Sequence, residues 1–151
     1  MEIFVTWVKM SKEEIAWNNL ISCFSYYADK DYEQSLIPAN VSVESKLYSL
    51  LEKTLGNVAS KKQIKNFLED AATYSYQLNV LLPLILRYNS HLPKIDDKIR
   101  GFLNRLRSLR NDIAHRGKCK NKLTQKECAE LITAALFGFR YLSIIEDKIQ
   151  K

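Results

Sequence analysis

Four side chains that could handle a phosphate group lie within two helical turns of the C-terminal half. They are Arg110, Asn111, Asp112 and His115, inside the stretch Ser108–Gly117, and the chain has two histidines in all. RNA cleavage by a 2′-hydroxyl needs a base for that proton, an acid for the departing 5′-oxygen and positive charge beside the crowded phosphate. Histidine and arginine supply these functions, so the stretch predicts a phosphate-handling site.

The segment around this stretch carries the whole positive excess of the chain. Residues 98–126 contain ten lysines or arginines and one acidic residue, Asp112, for a formal charge of +9. The thirteen basic and sixteen acidic residues elsewhere give −3, within a total of +6. A localised positive field raises the local concentration of polyanions such as nucleic acid. A solvated helix face is the alternative explanation for such a run of charges.

The composition predicts an all-α protein. Four glycines and three prolines among 151 residues are few for a β-rich fold with many tight turns. Long stretches instead repeat apolar residues at intervals of three and four. The 46% of hydrophobic residues are enough for a real core. We therefore predict one domain over residues 1–151, in which residues 1–10 form a short N-terminal extension.

Apolar periodicity and capping signals divide the chain into helices. The predicted segments run from Ser11 to about Asp29, from about Leu36 to Leu55, from Ser60 to Pro83, from Ile95 to Gly117, and from Thr124 nearly to the C-terminus. Pro83 is expected either to kink or to end the third of these helices. Capping boxes are predicted at Ser11 with Glu14, Ser60 with Gln63, and Thr124 with Glu127. The resulting architecture is an antiparallel helical bundle of four long helices plus a short helix, with the lysine-rich loop Lys118–Lys122 at one end.

The helix predicted from Ile95 to Gly117 has an apolar seam and an opposite polar face. The seam follows steps of four and three through Ile95, Ile99, Phe102, Leu106, Leu109 and Ile113. At about 100° per residue, small polar residues share the other side, namely Asn104, Ser108, Asn111 and His115. A merely solvated face would carry more lysine and glutamate. Arg110 falls nearer the seam, so we expect its guanidinium at the groove with a neighbouring helix.

The remaining reactive residues predict no second site. Cys23, Cys119 and Cys128 form no Cys-x-x-Cys pair, so neither a disulfide framework nor a zinc site is expected, and no other cofactor is implied. His91 lies before a proline in a predicted loop and is interpreted as a turn residue. The apolar patch Ile3–Val8 is too short to cross a bilayer. These features favour a cytoplasmic protein without membrane contact.

The segment Arg110–His115 resembles the Arg-x4-6-His motif of the HEPN superfamily. These helical bundles occur in prokaryotic toxins, phage-defence proteins and CRISPR-associated ribonucleases. As in that family, a polar residue, here Asn111, follows the arginine. The resemblance extends in organisation from about Tyr32 to Ile149 and includes the segment Val43–Leu47 of the second predicted helix.

The resemblance implies a metal-independent endoribonuclease that needs no cofactor and works as a homodimer, with both motifs at the interface. Arg110 would contact phosphate, His115 would act as base or acid, and Asn111 would orient a partner group. Residues expected to bind RNA are Asn104, Arg107, Ser108, Arg116, Lys118, Lys120 and Lys122. Glu44 and Asp112 are expected to contact the side chains of the motif rather than the RNA. One chain supplies a single His115, so a two-histidine mechanism requires two copies related by a two-fold axis.

The implied setting is a toxin–antitoxin system or phage defence, with an antitoxin or another defence protein as a further partner. Two alternatives stay open. The chain could be a non-catalytic HEPN-like module that binds RNA or a protein partner through its basic end. It could also be a purely structural bundle, in which Arg110 pairs with a carboxylate such as Glu44 and His115 only caps its own helix.

Overall fold

The structure, a computed structural model, describes residues 12–149 and, for Lys12, the backbone only. Its α-helices are α1 (Lys12–Ala28), α2 (Tyr32–Leu55), α3 (Lys61–Asn66), α4 (Tyr74–Tyr76), α5 (Leu82–Tyr88), α6 (Asp97–Arg116) and α7 (Gln125–Ile149). Two π-helical turns, Phe67–Ala71 and Gln77–Leu81, extend α3 and join α4 to α5. No strand occurs in this part of the chain, so the all-α prediction is confirmed. The long helices are α1, α2, α6 and α7, but three short helices rather than one lie between them.

The second helix begins earlier than its apolar pattern indicates. It starts at Tyr32 rather than near Leu36, because the Asp31 side chain caps the helix by accepting a hydrogen bond from the Gln34 N–H at 3.4 Å. Pro38 therefore lies inside α2. In the predicted capping box before α1, Ser11 lies outside the described residues.

The prediction of one continuous helix from Ser60 to Pro83 is wrong. The Ser60 capping box at its start is present, but the chain becomes extended at Ala72 and a new helix begins after Thr73. The Gln77 side-chain amide donates to the carbonyl groups of Leu68 at 3.0 Å and Ala72 at 2.7 Å. Backbone groups exposed by the break are thereby satisfied, which a periodicity of apolar residues does not reveal.

Pro83 does not end the helical run, which continues to Tyr88. Proline lacks an N–H group, and its ring clashes with the carbonyl four residues earlier in a regular α-helix. The π-helical turn Gln77–Leu81 directly precedes it and widens the helix at that point. The run therefore accommodates Pro83 without terminating.

Both predicted ends of the α6–α7 connection are confirmed. Gly117 ends α6 in the left-handed region at φ +73°, which glycine adopts without steric cost. Thr124 and Glu127 form the predicted capping box, with the Glu127 N–H donating to Thr124 Oγ1 at 3.2 Å and the Thr124 N–H donating to the Glu127 carboxylate at 3.1 Å. Asp96 caps the start of α6 by accepting from the Lys98 and Ile99 N–H groups.

The core forms where α2 packs against α1 and α7, and α6 packs against α7 and α2. Leu106 and Ile113 of the predicted α6 seam are buried. Leu103, which lies outside that seam, is fully buried as well. It fits against Gly138 of α7, where an added Cβ would lie 3.0 Å from Leu103 Cδ1. A side chain at position 138 would therefore require Leu103 to shift.

An ionic network lies inside the bundle and is not indicated by the sequence pattern. Lys46 of α2 is 2% exposed and donates to the Glu146 carboxylate of α7 and, at 3.1 Å, to Glu13 of α1. Lys53 pairs with the same Glu146, and the Lys46 ammonium lies 5.9 Å from the centre of the Phe139 ring. The network joins three of the four long helices.

The network shifts the pKa values of its two buried members, Lys46 and Glu146. Burial raises the pKa of Glu146, but hydrogen bonds from Lys46 and Lys53 outweigh it and leave that pKa below the ordinary 4.5. Burial lowers the pKa of Lys46, but hydrogen bonds to Glu146 and Glu13 leave it above 10.5. The pair is therefore ionised over the whole neutral range.

α7 is long and apolar enough, by length and composition, to cross a bilayer. Half of its most apolar stretch is buried within the bundle. The buried positions repeat at helical spacing and include Leu131, Ala135, Phe139, Leu142 and Ile145. Packing of this face in the core accounts for the apolar composition of the helix.

Candidate functional site

The histidine of the predicted motif lies at the exposed C-terminal end of α6. His115 is solvent-exposed in the last turn of the helix, two residues before Gly117. Within the described part of the chain it has no hydrogen-bond or ion-pair partner. Its imidazole is therefore free to contact a ligand, as a general base or acid must be.

The polar face predicted on α6 is only partly open. Ser108 and His115 are exposed, and Asn111 is half-buried. Asn104 is engaged in a reciprocal amide pair, in which its Nδ2 donates to Asn79 Oδ1 at 3.0 Å and Asn79 Nδ2 donates back at 2.9 Å. The contacts of Asn104 favour a role in holding the Gln77–Leu81 turn against α6.

Arg110 lies beside its neighbour in sequence. Its Nη1 donates to Asn111 Oδ1 at 3.2 Å, and both side chains are half-buried. No hydrogen bond or ion pair within 4.0 Å joins Arg110 to Glu44 among the described residues. The direct Arg110–Glu44 pair of the purely structural alternative is therefore not formed.

Glu44 nevertheless lies in the electrostatic field of two arginines. Desolvation raises the pKa of its carboxyl above 4.5, while Arg110, a hydrogen bond from Asn40 and Arg107 act in the opposite direction. Asn40 Nδ2 donates to that carboxylate at 3.1 Å. α2 thus presents a half-buried acidic group to the two arginines of α6.

Arg107, which the sequence predicts to bind RNA, does not lie fully exposed on an open face. Its residue is half-buried, and its Nε is buried without a hydrogen-bond partner in the described part of the chain. Charge interactions place it near Glu44 and the buried Tyr74, whose pKa is raised by desolvation. The sequence pattern gives no sign of Tyr74 or Asn40 in this cluster, since both come from other helices.

Asp112 forms an ion pair with Arg116, one turn later in α6. Its Oδ1 lies 3.8 Å from Arg116 Nη1, and Arg116 is exposed. Cys119, which follows Gly117, is buried and its N–H donates to Glu33 of α2 at 3.3 Å. Burial, with Glu33 and Asp112 nearby, raises the Cys119 pKa to about 11 despite the basic residues around it. The loop after α6 is therefore anchored to the start of α2.

The lysines of that loop point away from the core. Lys118, Lys120 and Lys122 are all exposed. Lys122 also borders a small groove at the start of α2 together with Lys30. Arg105, by contrast, is tied to Glu127 of α7 at 2.7 Å. The exposed lysines Lys118, Lys120 and Lys122 therefore lie at the end of the bundle that carries His115.

Arg110 and His115 do not share a face within one protomer. Five residues of an α-helix rotate by about 140°, so Arg110 emerges towards α2 while His115 lies on the open polar face. The structure thus brings Arg110, Asn111 and Glu44 together, and it leaves His115 with Ser108 and the lysine loop.

The described residues contain no group of three or more His, Cys, Asp or Glu side chains placed to hold a metal ion. Cys23, Cys119 and Cys128 are buried free thiols. Burial raises the pKa of each of the three. The thiols are therefore protonated at neutral pH and poor nucleophiles.

Comparison with known proteins agrees with the motif. The model of a family described as RiboL-PSP-HEPN matches residues 3–151, nearly the whole chain. No curated protein matches the chain, and no solved structure does.

Proposed function

The chain belongs to the RiboL-PSP-HEPN family, and we propose that it is a metal-independent endoribonuclease that acts as a homodimer. Membership in a HEPN family indicates a ribonuclease-type or RNA-related function. The observation that carries the finer proposal is the placement of His115. It is an exposed imidazole with no partner among residues 12–149, beside the exposed lysines of the loop after α6 and one turn beyond the Arg110–Asn111 pair.

In the proposed reaction, the 2′-hydroxyl attacks the adjacent phosphorus while the neutral His115 of one protomer accepts its proton. The bond from phosphorus to the 5′-oxygen breaks, and the protonated His115 of the other protomer donates a proton to that oxygen. Arg110 stabilises the additional negative charge on the phosphate oxygens. Asn111 holds the guanidinium of Arg110 through the 3.2 Å hydrogen bond. The products are a 2′,3′-cyclic phosphate and a 5′-hydroxyl, and no water is consumed.

Exposed basic side chains around His115 are proposed to guide the RNA backbone. Arg116 and the lysines Lys118, Lys120 and Lys122 form this surface, and the exposed Ser108 lies about two turns before His115 on the same face of α6. We propose a cytoplasmic toxin–antitoxin system or antiviral defence as the setting, with an antitoxin or another defence protein as the partner that restrains cleavage.

The test is to incubate single-stranded RNA with the purified protein in the presence of EDTA. We expect cleavage to persist, because side chains supply the proposed acid, the proposed base and the positive charge that stabilises the phosphate. The new 3′ ends should resist extension by a polymerase until the cyclic phosphate is removed. Cleavage that stops with EDTA and returns with Mg²⁺, or products with a free 3′-hydroxyl, would contradict the proposal.

The second candidate is a non-catalytic RNA-binding module. Arg110 favours it, since the side chain is half-buried, bonded to Asn111 and held in the field of Glu44. This candidate predicts RNA retention that weakens steeply with salt, and no cleavage with or without metal ions.

A further inference from the structure

A groove of about 580 Å³ lies between α5 and the beginning of α6, at the opposite end of α6 from His115. Its lining combines charged and apolar side chains: Arg87, Lys94, Arg100, Asp97, Leu86 and Ile95. None of these residues belongs to the Arg110–His115 motif or to the lysine loop. The groove therefore needs a separate explanation.

The groove carries a net positive charge from its side chains. Arg100 is paired with Asp97 at 2.5 Å, whereas Arg87 and Lys94 are exposed and have no partner within the described part of the chain. The helix N-terminus adds little, because the Asp96 carboxylate already accepts the Lys98 and Ile99 N–H groups. Two unpaired cations thus remain available to an anion.

Buried apolar side chains form the floor of the groove. Leu86 and Ile95 are 6% and 8% exposed, so the groove offers a small apolar surface beside the cations. Arginine planes stack on nucleobases and lysine contacts phosphate, so a ligand that combines phosphate with a planar ring has chemistry complementary to this lining.

The groove residue Arg100 and His115 lie on the same side of α6. Arg100, Asn104, Ser108, Asn111 and His115 fall within an arc of about 80° on the helix. Arg100 and His115 are separated by about 22 Å along the axis, at about 1.5 Å per residue. The Asn79–Asn104 amide pair covers the middle of this face, so a single strand that reaches both ends spans about 22 Å and passes over that pair.

We propose that the Arg87–Lys94–Arg100 groove is a second RNA-binding site, which holds a nucleotide of the strand whose scissile phosphate lies at His115. This inference rests on the proposed function for the identity of the strand. The groove anchors substrate at a distance and takes no part in the chemical step.

Binding is measured by fluorescence anisotropy with a labelled single strand of about twelve nucleotides, which at about 3.4 Å per nucleotide exceeds the 22 Å separation. The background variant is His115→Ala, so that cleavage does not interfere. In that background, Arg87→Ala with Lys94→Ala should weaken binding. The slope of log Kd against log salt concentration should fall in magnitude by about 0.7, the value for the one phosphate contact that Lys94 makes, while the lost stacking of Arg87 weakens binding without changing the slope.

The matched control is Arg140→Ala with Lys148→Ala, which removes one arginine and one lysine from exposed positions of α7 outside the groove. An equal loss of affinity in both double variants would overturn the inference, because it would then reflect net charge alone. Equal loss of binding to a poly-glutamate peptide would also overturn it, by making the groove a general polyanion site. If the groove variant loses RNA affinity but the wild-type protein never cleaves RNA, the groove site stands and the nuclease proposal fails.

Discussion

We expect replacement of His115 with alanine to lower the proposed RNA cleavage rate by about 10²- to 10⁴-fold, the usual contribution of a general acid or base. The substituted side chain is exposed and has no partner in the described part of the chain. Folding stability should therefore change by less than about 0.5 kcal/mol. Single-turnover cleavage of a labelled RNA, together with thermal unfolding of the same sample, separates the two effects.

His91→Ala is the matched control for this substitution. It removes the other histidine, which is exposed in the loop between α5 and α6. We expect full cleavage activity, because that loop lies at the opposite end of α6 from His115. Wild-type rates in His115→Ala would remove this histidine from the mechanism, and a comparable loss in His91→Ala would show that the choice between the two histidines is wrong.

The second large effect concerns stability. Glu146→Gln should lower the free energy of unfolding by about 3 kcal/mol or more, since it leaves a buried ammonium without its main counter-charge. Lys46 is 2% exposed, and the remaining carboxylate, Glu13, is half-exposed. Urea unfolding followed by circular dichroism measures the loss. A matched double variant, Lys46→Met with Glu146→Leu, should recover most of it, because a well-packed apolar pair replaces the ion pair.

The Glu146 contribution depends on pH in a defined direction. A carboxyl whose pKa is lowered in the folded state stabilises the protein above its unfolded value, near 4.5 here, and loses that contribution as the pH falls through the folded value. Lys46 has a raised pKa, so its contribution is present below 10.5 and is lost as the pH rises through the folded value. The stability difference between wild type and Glu146→Gln should thus be constant near neutrality and shrink below pH 4.5. A difference that grows on acidification would contradict the buried pair.

Local signals in the sequence predict the ends of the helices well. The capping boxes at Ser60 and Thr124 and the stop at Gly117 each depend on residues within a few positions of one another. Such contacts form from short-range geometry alone, so their residue types are informative. The earlier start of α2 also has a local cause, Asp31, which the apolar pattern does not include.

Contacts between distant segments could not be predicted in this way. Lys46 and Glu146 are 100 positions apart, and a lysine within an apolar stretch gives no indication of its partner. The break after Ala72 depends on the Gln77 side chain, and the position of Asn104 depends on Asn79. Each of these required the packing of whole helices to be known.

In the candidate site, too, local features could be predicted from the sequence and contacts between distant segments could not. Spacing along α6 predicts which residues share a face, and His115 is indeed exposed beside the basic loop. Spacing does not reveal that the Nε of Arg107 is buried or that Glu44 lies in the field of Arg107 and Arg110. Spacing along one helix also does not predict how two copies of the chain would pack together.

Subunit mixing tests the shared site most directly. Wild-type and His115→Ala protomers are exchanged in varying proportions at constant total concentration, and RNA cleavage is measured against the wild-type fraction. If each reaction uses the histidines of both protomers, activity follows the square of that fraction, so an equal mixture retains about one quarter. Activity in direct proportion to the wild-type fraction, with about one half retained, would contradict a catalytic site built from two copies of His115.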